Sequence, residues 1–539
     1  MGCCAVNGAQ ALFKALVDAG ITTCFANPGT SEMQLVYEMG LSEALRPILC
    51  LQEDIVTGAA DGYARMKGRP AVTLLHVGSG FANGIAMLHN AGRANAPVVN
   101  VVGANASYHQ PNYPEHELIN GRIGDLARTV SHWSQEARSA SHLGELGREA
   151  AMLAQAGQVC TIIAPTNCHW EDASPPPPPI SPIRPGLAPE AIEHAASLLR
   201  NGRKTGLVIG NAALHGAALE TAGRIAGHTG ATLLSETFAS RRFERGAGRP
   251  VVEPIPYELE MALQFLASFE QLIFVGAGFP VATFAYRGKP VMKSPNDCTL
   301  FEMASVRQDL GAALERLAAA CGAEGAMVAR SAPFVGPAPS GPLTAAAIGE
   351  TLSLLMPENA ILVDEAATNA PWIFAGTRGA RPHDYLNPLN GGAIGGGLPM
   401  ALGAAIACPG RKTVLLQADG SGMYGVQALW TMAREQADIV IVVLRNDRYN
   451  ILSLEMARVR EAEPNARMES MMSLANPVID WVHLAQGLGV PGAQATSAAS
   501  FHALFHAAMS EPGPRLIECV VPIPPEWHQL EDLVHRSRA

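Results

Sequence analysis

Asp419 and Asn446 carry oxygen atoms that could bind a metal ion, and the surrounding pattern predicts that they lie side by side. An apolar strand ends at Ala418, a helix is predicted over about 426–435, and a second strand over 438–444. One such crossover makes the two strands parallel, so their carboxyl ends meet at the same edge of a sheet. A carboxylate and an amide oxygen suit a hard cation such as Mg2+, which also keeps water or phosphate ligands.

Two glycines, Gly420 and Gly422, follow this carboxylate. Glycines at the start of a helix allow the backbone to come close to a phosphate group. An ordinary strand-end Asp-Gly turn beside a surface Asn would give the same pattern, so the residues alone leave both interpretations open.

Glu53 is the second candidate for chemistry. The short apolar strand at 48–51 stops just before it, and a helix of small residues begins there. A carboxyl group in this place could exchange a proton with a bound molecule. It could equally be a first-turn acid that interacts favourably with the helix dipole.

Short apolar runs that alternate with helical patterns must position these groups. Continuous apolar strands between helices are typical of parallel sheets that are covered on both faces. A helix is predicted over 8–19, with Asn7 as its cap. The predicted strands lie at 21–26, 72–76, 98–102, 205–210, 231–234, 272–276, 360–364, 413–417 and 439–444.

Two proline-rich segments, 174–186 and 330–342, are predicted linkers. They divide the 539 residues into three segments of domain size. We therefore expect three doubly wound α/β domains at 1–174, 187–329 and 343–539. The first and third are candidates for one shared architecture.

Composition narrows the class of protein. Apolar residues make up 48% of the chain and the net charge is −10, which argues against disorder and against a nucleic-acid partner. The N-terminus lacks the order of a signal peptide. The uncharged stretch 385–410 contains prolines and glycines that would break a membrane-spanning helix. With ten scattered cysteines and no C-x-x-C pair, the expectation is a cytoplasmic protein without membrane contact.

The stretch Asp419-Gly-Ser-Gly-Met-Tyr-Gly, with Asn446 after it, resembles the diphosphate-binding motif of the thiamine diphosphate (ThDP) enzymes. The resemblance implies that Asp419, Asn446 and the backbone carbonyl of Arg448 hold Mg2+. It also implies that Gly420 and Ser421 contact the cofactor. In two places the family pattern is not kept: Ala418 replaces a usual Gly and Arg445 a usual Asn, and neither change removes a side-chain ligand.

Two further segments resemble the same family. Residues 51–65 are similar to its activating segment, in which the carboxyl group of Glu53 would hydrogen-bond the aminopyrimidine ring of ThDP. Residues 391–399 are similar to its wedge loop, with Ile394 holding the cofactor bent. In this family the activating Glu and the diphosphate site belong to opposite subunits. A homodimer or a tetramer with active sites between subunits is therefore expected.

The resemblance also implies a set of substrate-side residues. His76 is expected in proton transfer as well as in substrate binding. A β-branched Ile beside the substrate narrows a pocket and favours small aliphatic 2-oxo acids such as pyruvate. The expected substrate-binding residues are Thr30, His76, Ile451 and Leu452.

The resemblance is closest to acetolactate synthase large-subunit-like proteins and includes benzoylformate decarboxylase. We expect a decarboxylating carboligase because the stretch 276–286 has no counterpart of the decarboxylase's second active His. A simple decarboxylase is the alternative, followed by a flavin-dependent oxidase. The Arg-Phe-Asp-Asp flavin pattern is not evident in 276–286, so FAD stays an open expectation. A cofactor-free subunit would predict the loss of Glu53 or Asp419, and both are present.

Overall fold

A computed structural model describes residues 6–112, 114–460, 463–524 and 529. Its core consists of three mainly parallel β-sheets with helices on both faces. This confirms the predicted class, α/β with doubly wound parallel sheets. The nine strands predicted between the helical patterns and the one predicted at 48–51 all exist, and their ends differ from the predicted ones by two residues at most.

The first sheet has six parallel strands in the order β3-β2-β4-β5-β7-β6. A two-stranded antiparallel ribbon, β1 with β8, ties the ends of this segment together. The elements are β1 Val6–Asn7, α1 Gly8–Asp18, β2 Thr23–Asn27, α2 Met33–Leu41, β3 Arg46–Leu49, α3 Glu53–Lys67, β4 Ala71–Leu75, α4 Val77–Asn83, α5 Ile85–Arg93, β5 Val98–Ala104, α6 Ile123–Val130, β6 Trp133–Glu136, α7 Ala140–Gln155, β7 Val159–Pro165, α8 Asn167–Trp170 and β8 Asp172–Ala173.

The central sheet has five parallel strands in the order β12-β10-β9-β13-β14. One short strand of this part of the chain, β11, leaves it and pairs with the third sheet instead. The elements are α9 Pro189–Arg200, β9 Thr205–Ile209, α10 Gly216–Thr229, β10 Thr232–Ser235, β11 Phe243–Arg245, β12 Glu253–Pro254, α11 Leu259–Leu266, β13 Gln271–Val275, β14 Thr299–Ala304 and α12 Leu310–Cys321.

The third sheet has seven strands in the order β11-β16-β15-β17-β18-β20-β19, all parallel except β11. The elements are α13 Ala345–Leu355, β15 Ile361–Glu365, α14 Ala370–Gly376, β16 His383–Leu386, α15 Gly397–Ala407, β17 Thr413–Ala418, α16 Asp419–Gly422, α17 Ala428–Arg434, β18 Ile439–Arg445, α18 Asn450–Val459, α19 Ala466–Ser470, α20 Trp481–Gly487, β19 Gly492–Ala495, α21 Ala498–Ser510 and β20 Arg515–Val520.

The first and third sheets share one topology. Without β11, each has six parallel strands, and in both the chain visits them in the same spatial order. The strand interiors are almost entirely apolar and buried, because helices cover both faces. Local signals agree with this fold: the Asn7 side chain accepts a hydrogen bond from the Gln10 backbone and caps α1, as predicted.

The helices α3 and α15 pack backbone to backbone and so hold the first and third sheets together. A Cβ atom at Gly62 would overlap the carbonyl oxygen of Met400, and one at Gly403 would overlap that of Ala59. A Cβ atom at Gly58 would lie 2.7 Å from the Pro399 ring. Glycine is therefore required at three crossing points of these two helices.

The uncharged stretch 385–410 is interrupted in the structure. It forms the end of β16, a turn, a glycine-rich loop and the helix α15, which is only 11 residues long. Among the described residues, no helix combines the length and the apolar character needed to cross a lipid bilayer.

The close helix contact gives a stability prediction. Replacement of Gly403 by Ala would force α3 and α15 apart, and we expect it to lower the free energy of unfolding by about 1–3 kcal/mol. Gly487→Ala in α20 is the matched control, because a Cβ atom there meets nothing within 4 Å. The control should change stability by less than about 1 kcal/mol, in the stabilising direction. Urea denaturation measures both, and equal effects would contradict the packing.

Candidate active site

Two groups of side chains lie at the points where the strand order reverses in the first and third sheets. In the first sheet this point lies between β2 and β4, and in the third between β15 and β17. The crevice outside the carboxyl ends of the strands at such a point is the usual ligand site of doubly wound sheets. In the first sheet, Thr30 follows β2 and His76 follows β4. In the third sheet, Glu365 is the last residue of β15 and Asp419 follows β17.

The structure brings Thr30, His76 and Glu53 together at the first crevice. A Cβ atom at Gly29, next to Thr30, would overlap the His76 ring. A Cβ atom at Gly80 would lie 2.8 Å from Glu53 Oε1 and 3.2 Å from His76 Cβ. Gly80 therefore lies between Glu53 and His76 and is in close contact with both side chains.

Glu53 is the first residue of α3 and is 8% exposed. Its Oε2 atom accepts a hydrogen bond from Asn83 Nδ2 at 3.1 Å. No hydrogen bond is assigned to its Oε1 atom within the described ranges. The Oε1 atom of this nearly buried carboxylate could therefore form a hydrogen bond with a bound ligand.

His76 is oriented by a buried carboxylate that sequence reasoning missed. Its Nδ1 atom lies 2.8 Å from Oε2 of Glu32, which also accepts the Gly29 backbone N–H at 2.9 Å. Glu32 has no exposed surface. This contact fixes the imidazole through Nδ1 and leaves Nε2 for a ligand.

The backbone beside His76 is strained. Val77 has a φ of 37°, a region that β-branched residues rarely adopt. Strain of this kind costs on the order of 1–3 kcal/mol and concentrates at functional sites. The turn between β4 and α4 therefore supports a functional role for His76.

At the third sheet, Asp419 gathers the two loops that follow β17 and β18. Its Oδ1 atom accepts the Gly420 N–H at 2.9 Å, and its Oδ2 atom accepts the N–H groups of Asn446 and Asp447 at 3.1 and 2.8 Å. Asp447 itself adopts a φ of 56°, in the left-handed region. Asp419 and Asn446 are thus neighbours, as the crossover pattern predicted.

Burial raises the pKa of Asp419, and the backbone hydrogen bonds from the same loops oppose that shift. A cation beside this carboxylate would offset the cost of burying its charge. The Oδ1 atom of Asn446 accepts the Arg448 N–H at 3.1 Å, so Asn446 and Arg448 form one tight turn. Within the described residues, no cluster of three or more His, Cys, Asp or Glu side chains could hold a metal ion.

Gly420 and Ser421 are the second and third residues of the short helix α16, whose N-terminus is capped by no side chain of the described residues. A Cβ atom at Gly420 would overlap the Tyr449 ring, so the turn is closely packed from one side. Ser421 Oγ accepts a hydrogen bond from Gln417 Nε2 at 2.7 Å.

Ile394 sits in a glycine-rich loop above this turn. The loop touches α16, because a Cβ atom at Gly395 would lie 3.3 Å from the Ser421 carbonyl oxygen. The Ile394 side chain is half-buried. Sequence reasoning missed the buried Glu365 beneath the loop, whose Oε1 and Oε2 atoms accept the N–H groups of Gly395 and Gly397, each at 2.6 Å.

Ile451 and Leu452 lie in the first turn of α18, directly after the Asp419–Asn446 unit. Ile451 is partly buried and packs against the buried Leu454, as do Trp372 and Ile523. Leu452 is 42% exposed. Of the two, Leu452 is therefore the more accessible side chain in a single chain.

A second imidazole, His116, lies beside His76 and was also missed. The two ring centroids are 6.4 Å apart in an edge-to-face arrangement. The loop of His116 is anchored on both sheet and helix, because Asn105 donates to Glu117 Oε2 at 3.0 Å and Leu118 packs on Gly78. No local pattern connects His116 with His76, since they are 40 positions apart and meet only in the folded protein.

A cavity of about 750 Å3 lies elsewhere, at the carboxyl edge of the central sheet. Part of the stretch 276–286 forms its wall. Burial raises the pKa of Glu236 in this wall and lowers that of Lys293 to about 8. Glu53, His76 and Asp419 do not line this cavity.

Comparison with known proteins identifies the family. Residues 6–125 match the model of the thiamine pyrophosphate enzyme N-terminal TPP binding domain, and residues 366–519 match that of the C-terminal TPP binding domain. A Mycobacterium tuberculosis protein named "Putative acetolactate synthase large subunit IlvX" is 40% identical over 96% of this chain and 99% of its own length. The chain belongs to the ThDP-dependent enzymes.

Other proteins similar to this ThDP enzyme are named as decarboxylases. Benzoylformate decarboxylase of Pseudomonas aeruginosa is 27% identical, with 94% of this chain and 98% of that protein covered. The structure of the ThDP-dependent 4-hydroxybenzoylformate decarboxylase of Rhodococcus jostii has a TM-score of 0.83 at 24% identity. It covers 96% of this chain and 100% of that one, which confirms the fold.

The residues present fit ThDP and a hard divalent cation. Glu53 offers a carboxylate oxygen without an assigned partner, and Asp419 and Asn446 supply oxygen donors next to an uncapped helix start. One carboxylate, one amide oxygen and backbone carbonyls are the ligands that Mg2+ accepts together with phosphate oxygens.

The packing of Gly420 gives a second prediction. Gly420→Ala would press a methyl group against the Tyr449 ring and should lower the free energy of unfolding by about 1–3 kcal/mol. In a Tyr449→Ala background the same change should cost clearly less, because only the end of the Leu474 side chain, 3.0 Å from the added Cβ atom, remains close. Chemical denaturation of the two single variants and the double variant measures the coupling. Additive effects would contradict the described turn.

Proposed function

We propose that this ThDP enzyme is a Mg2+-dependent 2-oxo acid decarboxylating carboligase, acetolactate synthase-like, that acts on pyruvate or a similar small 2-oxo acid. The observation that carries the proposal is the 40% identity with IlvX along almost the full length of both chains. The positions of Glu53, Asp419 and Asn446 at the two sheet crevices support it.

Bound ThDP would supply the nucleophilic carbon that attacks the keto group and takes up the electrons left when CO2 departs. Glu53 would hold the aminopyrimidine ring through its Oε1 atom and control a proton there. Asp419, Asn446 and the Arg448 carbonyl would hold Mg2+, while Gly420 and Ser421 would orient the diphosphate. Ile394 would support the cofactor in its bent form.

On the substrate side, we assign carboxylate and keto-oxygen binding to Thr30 and His76. His76 presents Nε2 because Glu32 occupies its Nδ1 side. Ile451 and Leu452 would form the apolar side of the pocket, and the β-branched Ile451 would narrow it. A pocket of this kind accepts a small 2-oxo acid.

A homodimer, or a tetramer of dimers, with the active sites between subunits is part of the proposal. The helix α2 presents Met33, Tyr37 and Leu41 at four-residue spacing, and they are 48%, 62% and 63% exposed. Met423 and Tyr424, next to the diphosphate turn, are 38% and 56% exposed. Contiguous apolar side chains of this kind mark surfaces that another chain covers.

Simple decarboxylation is the second candidate, and His116 favours it. The expectation of carboligation rested partly on a missing second histidine in 276–286. His116 comes from another segment and lies beside His76. A second imidazole could deliver a proton to the carbon that CO2 has left, which would end the reaction at the aldehyde.

Substitution of Glu53 tests the cofactor chemistry. Glu53→Gln keeps the shape of the side chain but removes its ionisable oxygen, so turnover should fall by about 100-fold or more. Glu38→Gln is the matched control, because Glu38 is also 8% exposed and, among the described residues, its hydrogen-bond partners are Asn7, Gln10 and Gln34. Steady-state assays with ThDP and Mg2+ measure both. Undiminished turnover in Glu53→Gln would overturn the proposal.

Product analysis over a panel of 2-oxo acids separates the two candidates. With pyruvate, we expect acetolactate as the main product and slower turnover of phenylglyoxylate. If acetaldehyde is the only product, the proposed carboligase activity is wrong and simple decarboxylation takes its place. In that case His116→Gln should raise the share of ligation products, whereas His506→Gln, at an exposed histidine of α21, should leave the share unchanged.

A further inference from the structure

The backbone on both sides of Ile394 is fixed by buried polar side chains. Asn90 of α5 donates to the Ala393 carbonyl at 2.8 Å and accepts the Ala393 N–H at 3.2 Å. Glu365 accepts the Gly395 N–H on the other side. Asn90 and Glu365 are each 1% exposed, so both contacts are shielded from water.

Glu365 uses both of its oxygen atoms on the loop. Oε1 accepts from Gly395, and Oε2 accepts from Gly397 and from Gln417 Nε2 at 3.0 Å. Charge-assisted hydrogen bonds of this length are about twice as strong as neutral ones. Burial raises the pKa of Glu365, while the three N–H groups that its oxygens accept favour the ionised carboxylate. Burying such a group is costly, so a role beyond simple packing is indicated.

The same contacts continue to the diphosphate turn. Glu365 and Gln417 are register partners at the carboxyl ends of β15 and β17, where the strand order reverses. Gln417 Nε2 donates to Glu365 and also to Ser421 Oγ at 2.7 Å. One hydrogen-bonded chain thus connects the loop of Ile394 with the helix that begins at Asp419.

We propose that Glu365 is a positioning residue that sets the distance between Ile394 and the Asp419–Ser421 turn, and thereby the affinity for ThDP. This inference rests on the proposed ThDP site. Glu365 acts through the backbone of the loop and through Gln417, while the cofactor would be touched by Ile394, Gly420 and Ser421.

Glu365→Gln is the direct test because both carboxylate oxygens accept N–H groups. The side-chain amide of Gln has one oxygen, so it can accept the N–H group of either Gly395 or Gly397. Its NH2 group would then face the other backbone N–H group, to which it cannot hydrogen-bond. Asp364→Asn is the matched control. Asp364 is also 1% exposed, but its oxygens bind the Ala366 N–H and the Tyr385 hydroxyl, away from the loop.

The measurement is titration of ThDP with excess Mg2+ into cofactor-free, full-length protein by calorimetry. We expect Glu365→Gln to bind ThDP at least tenfold more weakly than the wild type, and Asp364→Asn within twofold of it. A difference of less than fivefold between the two variants would overturn the inference. Failure of the wild-type protein to bind ThDP would overturn the proposed function instead.

A double variant tests whether Glu365 acts through Ile394. In an Ile394→Gly background, Glu365→Gln should weaken ThDP binding by less than tenfold, since only the path through Gln417 to Ser421 is left. A further loss of tenfold would assign Glu365 a different role.

Hydrogen exchange in the wild-type protein needs no variant and covers the case in which Glu365→Gln does not fold. In cofactor-free protein, the amides of Gly395 and Gly397 should exchange at least tenfold more slowly than that of Gly391. Equal exchange rates at these positions would overturn the inference.

Discussion

The backbone contact between α3 and α15 is the constraint on which the rest of the structure depends. Gly62 and Gly403 allow these helices to approach until each backbone touches the other, and no residue with a Cβ atom fits at either position. Glu53 begins α3 and the loop of Ile394 leads into α15. The contact therefore fixes the start of α3 relative to the loop of Ile394 within one chain, although the two elements belong to different sheets.

The first and third sheets use one topology for two tasks. The strand order reverses between β2 and β4 in the first sheet and between β15 and β17 in the third. Each sheet places polar side chains at the carboxyl ends of the strands beside that point. The first sheet uses its crevice for the Glu32–His76 pair and Glu53. The third uses its crevice for Glu365, Gln417 and Asp419, which hold loops rather than a substrate. A cofactor with a reactive ring and a charged tail matches two crevices of such different chemistry.

Much of the fold followed from the sequence because its signals are local. Apolar runs between helical patterns predicted nine strands, and Asn7 predicted a helix cap. The proximity of Asp419 to Asn446 could be predicted from one strand–helix–strand crossover. The family assignment followed from motifs, and the comparisons confirm it.

Other features depend on contacts between distant parts of the chain, which no local pattern reports. Glu365 acts on a loop 30 positions later, and Glu32 holds a histidine 44 positions away. The three residues of β11 are too short a run to predict that they join the third sheet. His116 resembles any loop histidine until the fold brings it to His76.

The central claim is that Glu53 and Asp419 serve one cofactor from two subunits. Its most direct test is co-expression of a Glu53→Gln chain with an Asp419→Ala chain, each inactive alone. A mixed dimer then has one site with both residues intact, and 2-oxo acid turnover should return together with one tightly bound ThDP per dimer. Absence of turnover in purified mixed dimers would contradict the claim.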